Sequence, residues 1–310
     1  MPVQAGKSVK SRQKTFKYAN CVLLATKTTF LEVGVFMGEI WGNVKLGLNP
    51  LSVLAAFGWL VVMVVGLLVS GFIGGLFAGI SIVLTGIVFV LLFLVFASFA
   101  GNFLQIAAVQ NISNGQIDLG GAISGAISRL KNAFLANIII ILAAIVILVA
   151  FAIVGALLGG LLGLSASSAA LGSDPALSAV AGGFGAAAGG VIGGLILAYI
   201  GLYAIILGVL PFIASYSTFI AVGQGGTIET LRTAFTKSMA MWPKAFGLMM
   251  GTIYASVVPI AVLGILLMVL GGINIILGGI VLLAIILVFI SISACVGARI
   301  YIDATSGKAK

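Results

Sequence analysis

The stretch that decides the fold is residues 245–298, AFGLMMGTIYASVVPIAVLGILLMVLGGINIILGGIVLLAIILVFISISACVGA, which contains no Asp, Glu, Lys or Arg. A helix needs about 20 apolar residues to cross the ~30 Å hydrocarbon core of a bilayer. The stretch is therefore long enough for two membrane-spanning helices with a tight turn at residues 271–274. Strands of a membrane barrel would be about 10 residues long with alternating polarity, and this stretch does not alternate.

Two further stretches have the same character. Residues 46–117 contain no charged residue, and residues 132–228 contain only Asp174. Only 7% of the chain is charged, against about 25% in soluble domains, which excludes a water-soluble protein. We expect an all-α integral membrane protein with six transmembrane helices. The predicted spans are 51–73, 79–106, 135–161, 191–217, 246–270 and 275–300.

The positive charges predict the topology. All 15 Lys and Arg residues lie in the first 45 residues, at 129–131, at 232–244 and at 299–310. Cytoplasmic loops are enriched in Lys and Arg, so both termini and the second and fourth loops are expected in the cytoplasm. This pattern indicates a multi-pass protein of the plasma or inner cell membrane. The net charge of +9 favours anionic lipid headgroups as partners, and nucleic acid is not expected as a partner.

The sequence also predicts three tandem repeats, each with an amphipathic segment, a hairpin of two spans and a polar exit that contains glycine. GGAI (120–123) and GGTI (225–228) open the second and third amphipathic segments, and residues 32–50 form the first. The predicted division is a basic cytoplasmic tail at 1–17, repeats at 18–116, 117–224 and 225–310, and an external Ala/Gly/Ser-rich segment at 165–190. That segment is interpreted either as a flexible loop or as a short re-entrant helix.

Each amphipathic segment places apolar residues on one helical face. These stripes are Val33, Phe36, Ile40 and Val44; Ile123, Ile127, Leu130 and Phe134; and Ile228, Leu231, Phe235 and Met239. A helix of this kind lies flat in the headgroup region of a membrane. The candidate membrane-surface contacts are Arg129, Lys131, Arg232, Lys237 and Lys244. A compatible alternative is a linker helix that packs on its own bundle.

The residue types present exclude most kinds of catalytic and metal-binding site. The chain has no histidine, which excludes Ser–His–Asp catalysis and His-ligated zinc. Cys21 and Cys295 are too few for a metal site, so no catalytic residue, cofactor or metal is expected. The predicted spans hold no ionisable residue deep in the bilayer, which argues against a proton-coupled transporter. Polar span residues such as Ser98, Gln105 and Tyr216 are interpreted as interhelical hydrogen-bonding groups or, alternatively, as the lining of a solute path.

A resemblance follows from three segments: DATSGK (303–308), NGQIDLGGAISGAISRLKNAF (114–134) and GGTIETLRTAFTKSMAMWPKAFG (225–247). They resemble the membrane domain fused to some glycerophosphodiester phosphodiesterases, and related stand-alone prokaryotic membrane domains of unknown function. The soluble phosphodiesterase barrel, with its acidic and histidine residues, has no counterpart here. The resemblance therefore implies a helical membrane module without a transferred active site.

Together these patterns favour a non-enzymatic polytopic membrane protein that is structural, organises lipid or serves as a subunit of a larger membrane assembly. The expected partners are a bilayer with anionic headgroups and either a second copy of the chain or another membrane subunit. The alternative function is a small-solute channel or facilitator.

Overall fold

A computed structural model describes residues 35–170 and 175–306. Throughout these ranges the backbone forms helices joined by short turns. The predicted basic tail at 1–17, and also Cys21, Val33 and Asp174, lie outside the described residues.

Six long helices dominate the structure: α2 (Pro50–Leu76), α3 (Ile82–Asn114), α5 (Leu130–Ala170), α6 (Pro175–Val222), α8 (Trp242–Ile273) and α9 (Ile275–Thr305). Three shorter helices precede the pairs: α1 over residues 35–47 of the described chain, α4 (Leu119–Ser128) and α7 (Thr227–Ala240). Each long helix contains a stretch that is long and apolar enough to cross a membrane. This confirms the predicted number of spans and makes the chain a multi-pass helical membrane protein.

Polar caps and glycine fix the ends of the long helices. The Asn49 side chain accepts a hydrogen bond from the backbone at the start of α2, and Ser81 does the same for α3. Helix α3 ends at Gly115, which has a φ of 67°, a left-handed conformation that glycine adopts without a steric penalty. Asn274 separates α8 from α9 and caps α9, so the turn predicted at 271–274 is shorter than expected.

The structure corrects the prediction of a loop or a re-entrant helix at residues 165–190. Residues 165–170 and 175–190 are helical and extend α5 and α6, so they are neither a flexible loop nor a separate re-entrant helix. Alanine favours helix, and the glycines here serve contact between helices rather than turns. A Cβ atom added at Gly159 would clash with the backbone oxygen of Gly189. With 41 residues, α5 is about 60 Å long, roughly twice the thickness of the hydrocarbon core.

The second helix of each long pair lies at the centre of the bundle. Helices α3, α6 and α9 all contact one another. Each outer helix packs on its own partner and on the inner helix of the preceding pair: α5 on α6 and α3, and α8 on α9 and α6. Helix α2 packs on α3 and α9. The contacts between the first and last pairs therefore close a ring.

The short helices follow the same cyclic order. Helix α4 contacts α3, and α7 contacts α6. Helix α1 packs on α9, where Val44 lies against Val288 and Ile292 and Ser291 Oγ donates a hydrogen bond to the Gly47 carbonyl (2.8 Å). All three short helices thus lie at the end of the bundle where α3, α6 and α9 terminate, which we call the basic end because it holds the loop cations.

Candidate functional site

Helix α4 turns its smallest side chains toward the bundle. Ala122 and Ala126 are fully buried where α4 packs on α3, and Asn102 Nδ2 donates a hydrogen bond to the Ala126 carbonyl (3.5 Å). Ile123 and Ile127 lie on the other side and are 44% and 60% exposed. The bundle therefore leaves this apolar pair of the predicted stripe uncovered.

The predicted apolar stripe of helix α7 is partly buried in the bundle and partly exposed. Leu231 is buried against α5 and α6, and the Ser238 hydroxyl is 2.6 Å from that of Ser215 on α6. Ile228 faces away and is 75% exposed, while Phe235 is 46% exposed and meets Phe212 of α6 edge to face (ring centroids 5.5 Å). One helix face therefore binds the bundle, and an adjacent apolar face is left open.

In helix α1 the predicted stripe packs on the bundle. Ile40 and Val44 are buried, and Phe36 packs partly against the cluster of Ile40. A second apolar group, Met37 and Trp41, is exposed instead. Each short helix therefore has both a bundle face and an exposed apolar face.

The five candidate surface cations fall into two groups. Lys131, Arg232 and Lys237 are exposed, and Arg129 is half-buried at the junction of α4 and α5. These four cations form no ion pair with any other residue in the described ranges. Lys244 differs, because its Nζ atom lies 3.0 Å from Asp303 Oδ2.

Lys244 belongs to an ion-pair cluster with Glu39, Arg299 and Asp303. Its Nζ also lies 4.0 Å from Glu39 Oε2, while Arg299 Nη2 lies 3.4 Å from Glu39 Oε1. Arg299 Nε is 3.5 Å from Asp303 Oδ1, a contact without hydrogen-bond geometry. Two cations balance two carboxylates, and Asp303 is only 3% exposed. The cluster ties α1 to α8 and α9 at the point where the ring closes.

Several polar side chains inside the bundle bond to side chains on a neighbouring helix. Thr218 Oγ1 donates to Gln105 Oε1 (2.6 Å) and thereby joins α6 to α3. Tyr216 OH donates to Asn137 Oδ1 (3.1 Å), and Asn137 Nδ2 donates to Ser98 Oγ (2.9 Å). These contacts match the interhelical hydrogen bonds expected from the sequence.

Three grooves between neighbouring pairs differ greatly in volume. The groove among α9, α2 and α3 holds a cavity of about 10 Å³, and the groove among α3, α5 and α6 holds one of about 90 Å³. The groove among α6, α8 and α9, with α3 behind it, holds about 460 Å³. We call this largest space the lateral cavity, because exposed Ile213, Ile253 and Phe289 stand at its rim.

Apolar side chains form most of the wall of the lateral cavity, and none of its lining residues is charged. Thr252 is the most unusual of its polar groups. It is 0% exposed, and its Oγ1 atom has no hydrogen-bond partner. Buried hydroxyl groups are nearly always paired, so the cavity contains an unmet hydrogen-bonding requirement.

No family model, curated protein or solved structure matches the chain. Within residues 35–170 and 175–306, no group of three His, Cys, Asp or Glu side chains is placed to hold a metal ion. Sequence reasoning missed both the lateral cavity and the contacts from Glu39 and Lys244 to α9. For Glu39 the available signal was the rarity of acidic residues, which number six in the whole chain.

Proposed function

We propose that this chain is a non-enzymatic multi-pass membrane protein that organises anionic lipid at the cytoplasmic face of the plasma or inner cell membrane. The observation that carries the proposal is the exposed apolar face on α1, α4 and α7, beside cations without ion-pair partners among the described residues. Both features lie at the basic end, which the positive-inside rule assigns to the cytoplasm.

A shared register supports three repeats of one unit. In every short helix an exposed apolar residue has buried neighbours one position before it and three positions after it. The three sets are Ile40, Trp41 and Val44; Ala122, Ile123 and Ala126; and Thr227, Ile228 and Leu231. Three helices that present the same face at the same end would form one continuous apolar belt around the bundle.

The energies favour docking through the apolar face. Fully burying a Val, Leu, Ile, Phe or Met side chain is worth about 1.5–3 kcal/mol, so even partial burial of Ile123, Ile127, Ile228 and Phe235 amounts to several kcal/mol. Each cation near an anionic leaflet adds about 1 kcal/mol. The apolar residues therefore set the depth of the helices, and the cations select the lipid charge.

The composition of the lipids that are extracted together with the protein tests this proposal. Nanodiscs excised from cells with a styrene–maleic acid copolymer retain the surrounding lipid, whose composition is measured by mass spectrometry. We expect anionic lipids to be enriched around the wild-type protein relative to the whole membrane. The enrichment should fall when four cations are neutralised: Arg129→Gln, Lys131→Gln, Arg232→Gln and Lys237→Gln.

The matched control exchanges the same residues without changing charge: Arg129→Lys, Lys131→Arg, Arg232→Lys and Lys237→Arg. This variant should keep the enrichment, because the leaflet attraction depends on charge. Bulk lipid composition around the wild-type protein, or equal enrichment in the neutralised variant, would reject the proposal.

A small-solute channel has weaker support. The polar side chains that a solute path would need, such as Gln105, Tyr216 and Thr218, are engaged in hydrogen bonds between helices.

The absence of histidine from the chain supports the non-enzymatic part of the proposal.

A further inference from the structure

We propose that the lateral cavity binds an uncharged single-chain lipid through the lipid's hydroxyl or carbonyl group. The site lies inside the bundle, between α6, α8 and α9, and does not depend on lipid contacts at the short helices. It is therefore a second role, distinct from the surface function proposed above.

The volume fits one lipid chain. An engineered cavity of about 150 Å³ binds one benzene molecule, and the lateral cavity of about 460 Å³ is three times as large. It thus has room for roughly 18 non-hydrogen atoms on that scale, which corresponds to a chain of about 16 carbons with a small polar end. The equivalent grooves, at about 90 and 10 Å³, are too small. A further cavity of about 340 Å³ between α2, α3 and Leu130 is lined by apolar side chains alone, so the lateral cavity is distinguished by combining a large volume with polar groups.

The polar groups fit a single hydroxyl or carbonyl. Thr252 Oγ1 is buried in the cavity wall without a partner. Gln105 also lines the cavity, and because its Oε1 accepts from Thr218, its amide nitrogen is left as the donor for a ligand. A lipid carbonyl or hydroxyl could bond to Gln105. Thr252 is 0% exposed, so its hydroxyl would join this contact after its side chain turns toward the cavity. Either ligand would satisfy the buried Thr252 hydroxyl.

The depth of the site favours an uncharged ligand. Thr252 follows Lys244 by eight residues on α8, which places it about 12 Å deeper along the helix axis. Ions at such depth are costly unless paired, and no charged residue lines the cavity. The exposed apolar rim at Ile213, Ile253 and Phe289 gives a lipid a sideways entrance from the bilayer.

Photolabelling of the full chain tests the proposal. The protein is placed in nanodiscs of phosphatidylcholine and phosphatidylglycerol, with a 16-carbon fatty alcohol that carries a diazirine as the probe. Mass spectrometry then maps the labelled residues. We expect labelling of cavity residues on α6, α8 and α9 that excess hexadecanol removes. Hexadecanoic acid at pH 8 should compete at least about tenfold less well, because its carboxylate is charged.

Two glycines on α3 provide a matched pair of variants. A side chain at either Gly101 or Gly86 would meet no atom within 4 Å, but only Gly101 lines the lateral cavity. Gly101→Leu should fill the cavity and reduce its labelling at least about tenfold, and Gly86→Leu should leave it unchanged. Thr252→Val keeps the side-chain size and removes the hydroxyl, so the probe should bind about three- to tenfold more weakly.

Three results would overturn the proposal. They are label spread over all lipid-facing helices without competition, equal cavity labelling in the Gly101→Leu and Gly86→Leu proteins, and competition by hexadecanoic acid that equals that of hexadecanol. None of them depends on anionic lipid enrichment, so the failure of this site is distinguishable from the failure of the surface function.

Discussion

Asp303 is the most buried charged side chain in the ion-pair cluster, and two cations neutralise it from different helices. Lys244 on α8 lies 3.0 Å away, and Arg299 on α9 lies 3.5 Å away. Removing one partner from a buried pair leaves the remaining charges uncompensated. The cluster should therefore stabilise the junction of α1, α8 and α9 mainly through Asp303.

Asp303→Asn should lower the free energy of unfolding by about 1–3 kcal/mol. This value is below that of a fully buried pair because Lys244 and Arg299 are 35% and 29% exposed, so water weakens both contacts. Unfolding in mixed micelles with increasing denaturing detergent measures the change. Lys244→Met should destabilise the protein in the same direction, whereas Lys237→Met, at an exposed cation outside the cluster, should have little effect. Equal stability of the Asp303→Asn and wild-type proteins would show that the cluster has no structural role.

Part of this cluster could be predicted from the sequence. Arg299 and Asp303 are four residues apart on one helix, a spacing that brings side chains together, and the structure contains their ion pair. Glu39 and Lys244 could not be assigned to the same site, because no local spacing relates α1 or α8 to Asp303 on α9. The lateral cavity was also beyond prediction, since its volume depends on how three distant helices fit together.

The α5–α6 pair is the longest element of the structure, and glycine sets its packing. Gly155, Gly159 and Gly163 face Gly193, Gly189 and Gly185 in an antiparallel register. Small residues spaced by four are typical of closely packed helix backbones, and the structure identifies the partner helix. The helical state of residues 165–170 and 175–190 was not predictable from composition, because glycine disfavours an isolated helix and its benefit comes only from the facing helix.

Gly159→Leu should separate this helical pair. A side chain there meets the backbone of Gly189, which has no freedom to rotate away, so we expect a loss of about 3 kcal/mol or more in unfolding free energy. Gly183→Leu is the control, because a side chain at Gly183 meets no atom within 4 Å and leucine favours helix over glycine. The same detergent titration compares the two proteins. If both variants unfolded like the wild-type protein, the glycine contacts would not hold the pair together.

At the scale of the whole molecule, three inner helices lie within a ring of three outer helices. The number of spans was predictable, because charge-free stretches of known length leave little choice. Closure of the ring was not predictable, since it depends on contacts of α1 and α2 with α9, at opposite ends of the chain. The inclusion of α1 in the bundle shows that one helix can serve both as a packed linker and as a candidate surface element, the two interpretations left open by the sequence.

Topology provides a prediction for the complete chain. With Cys21→Ser and Cys295→Ala as background, we expect Asp174→Cys to react with a membrane-impermeant maleimide added outside intact cells. Lys131→Cys should react only after the cells are opened, because the positive-inside rule places its loop in the cytoplasm. Labelling of Lys131→Cys in intact cells, or failure to label Asp174→Cys there, would contradict this orientation.

The central claim is that α1, α4 and α7 rest on the membrane through their exposed apolar faces. Spin labels at the equivalent positions Trp41, Ile123 and Ile228, in the same cysteine-free background and in anionic nanodiscs, test it most directly by collision with oxygen or with a water-soluble nickel chelate. All three labels should favour oxygen, which concentrates in the bilayer, and should report similar depths. A label at exposed Thr236, farther around α7, should favour the chelate. If the three labels met the chelate as readily as the Thr236 label does, the short helices would be linkers in water and the claim would be wrong.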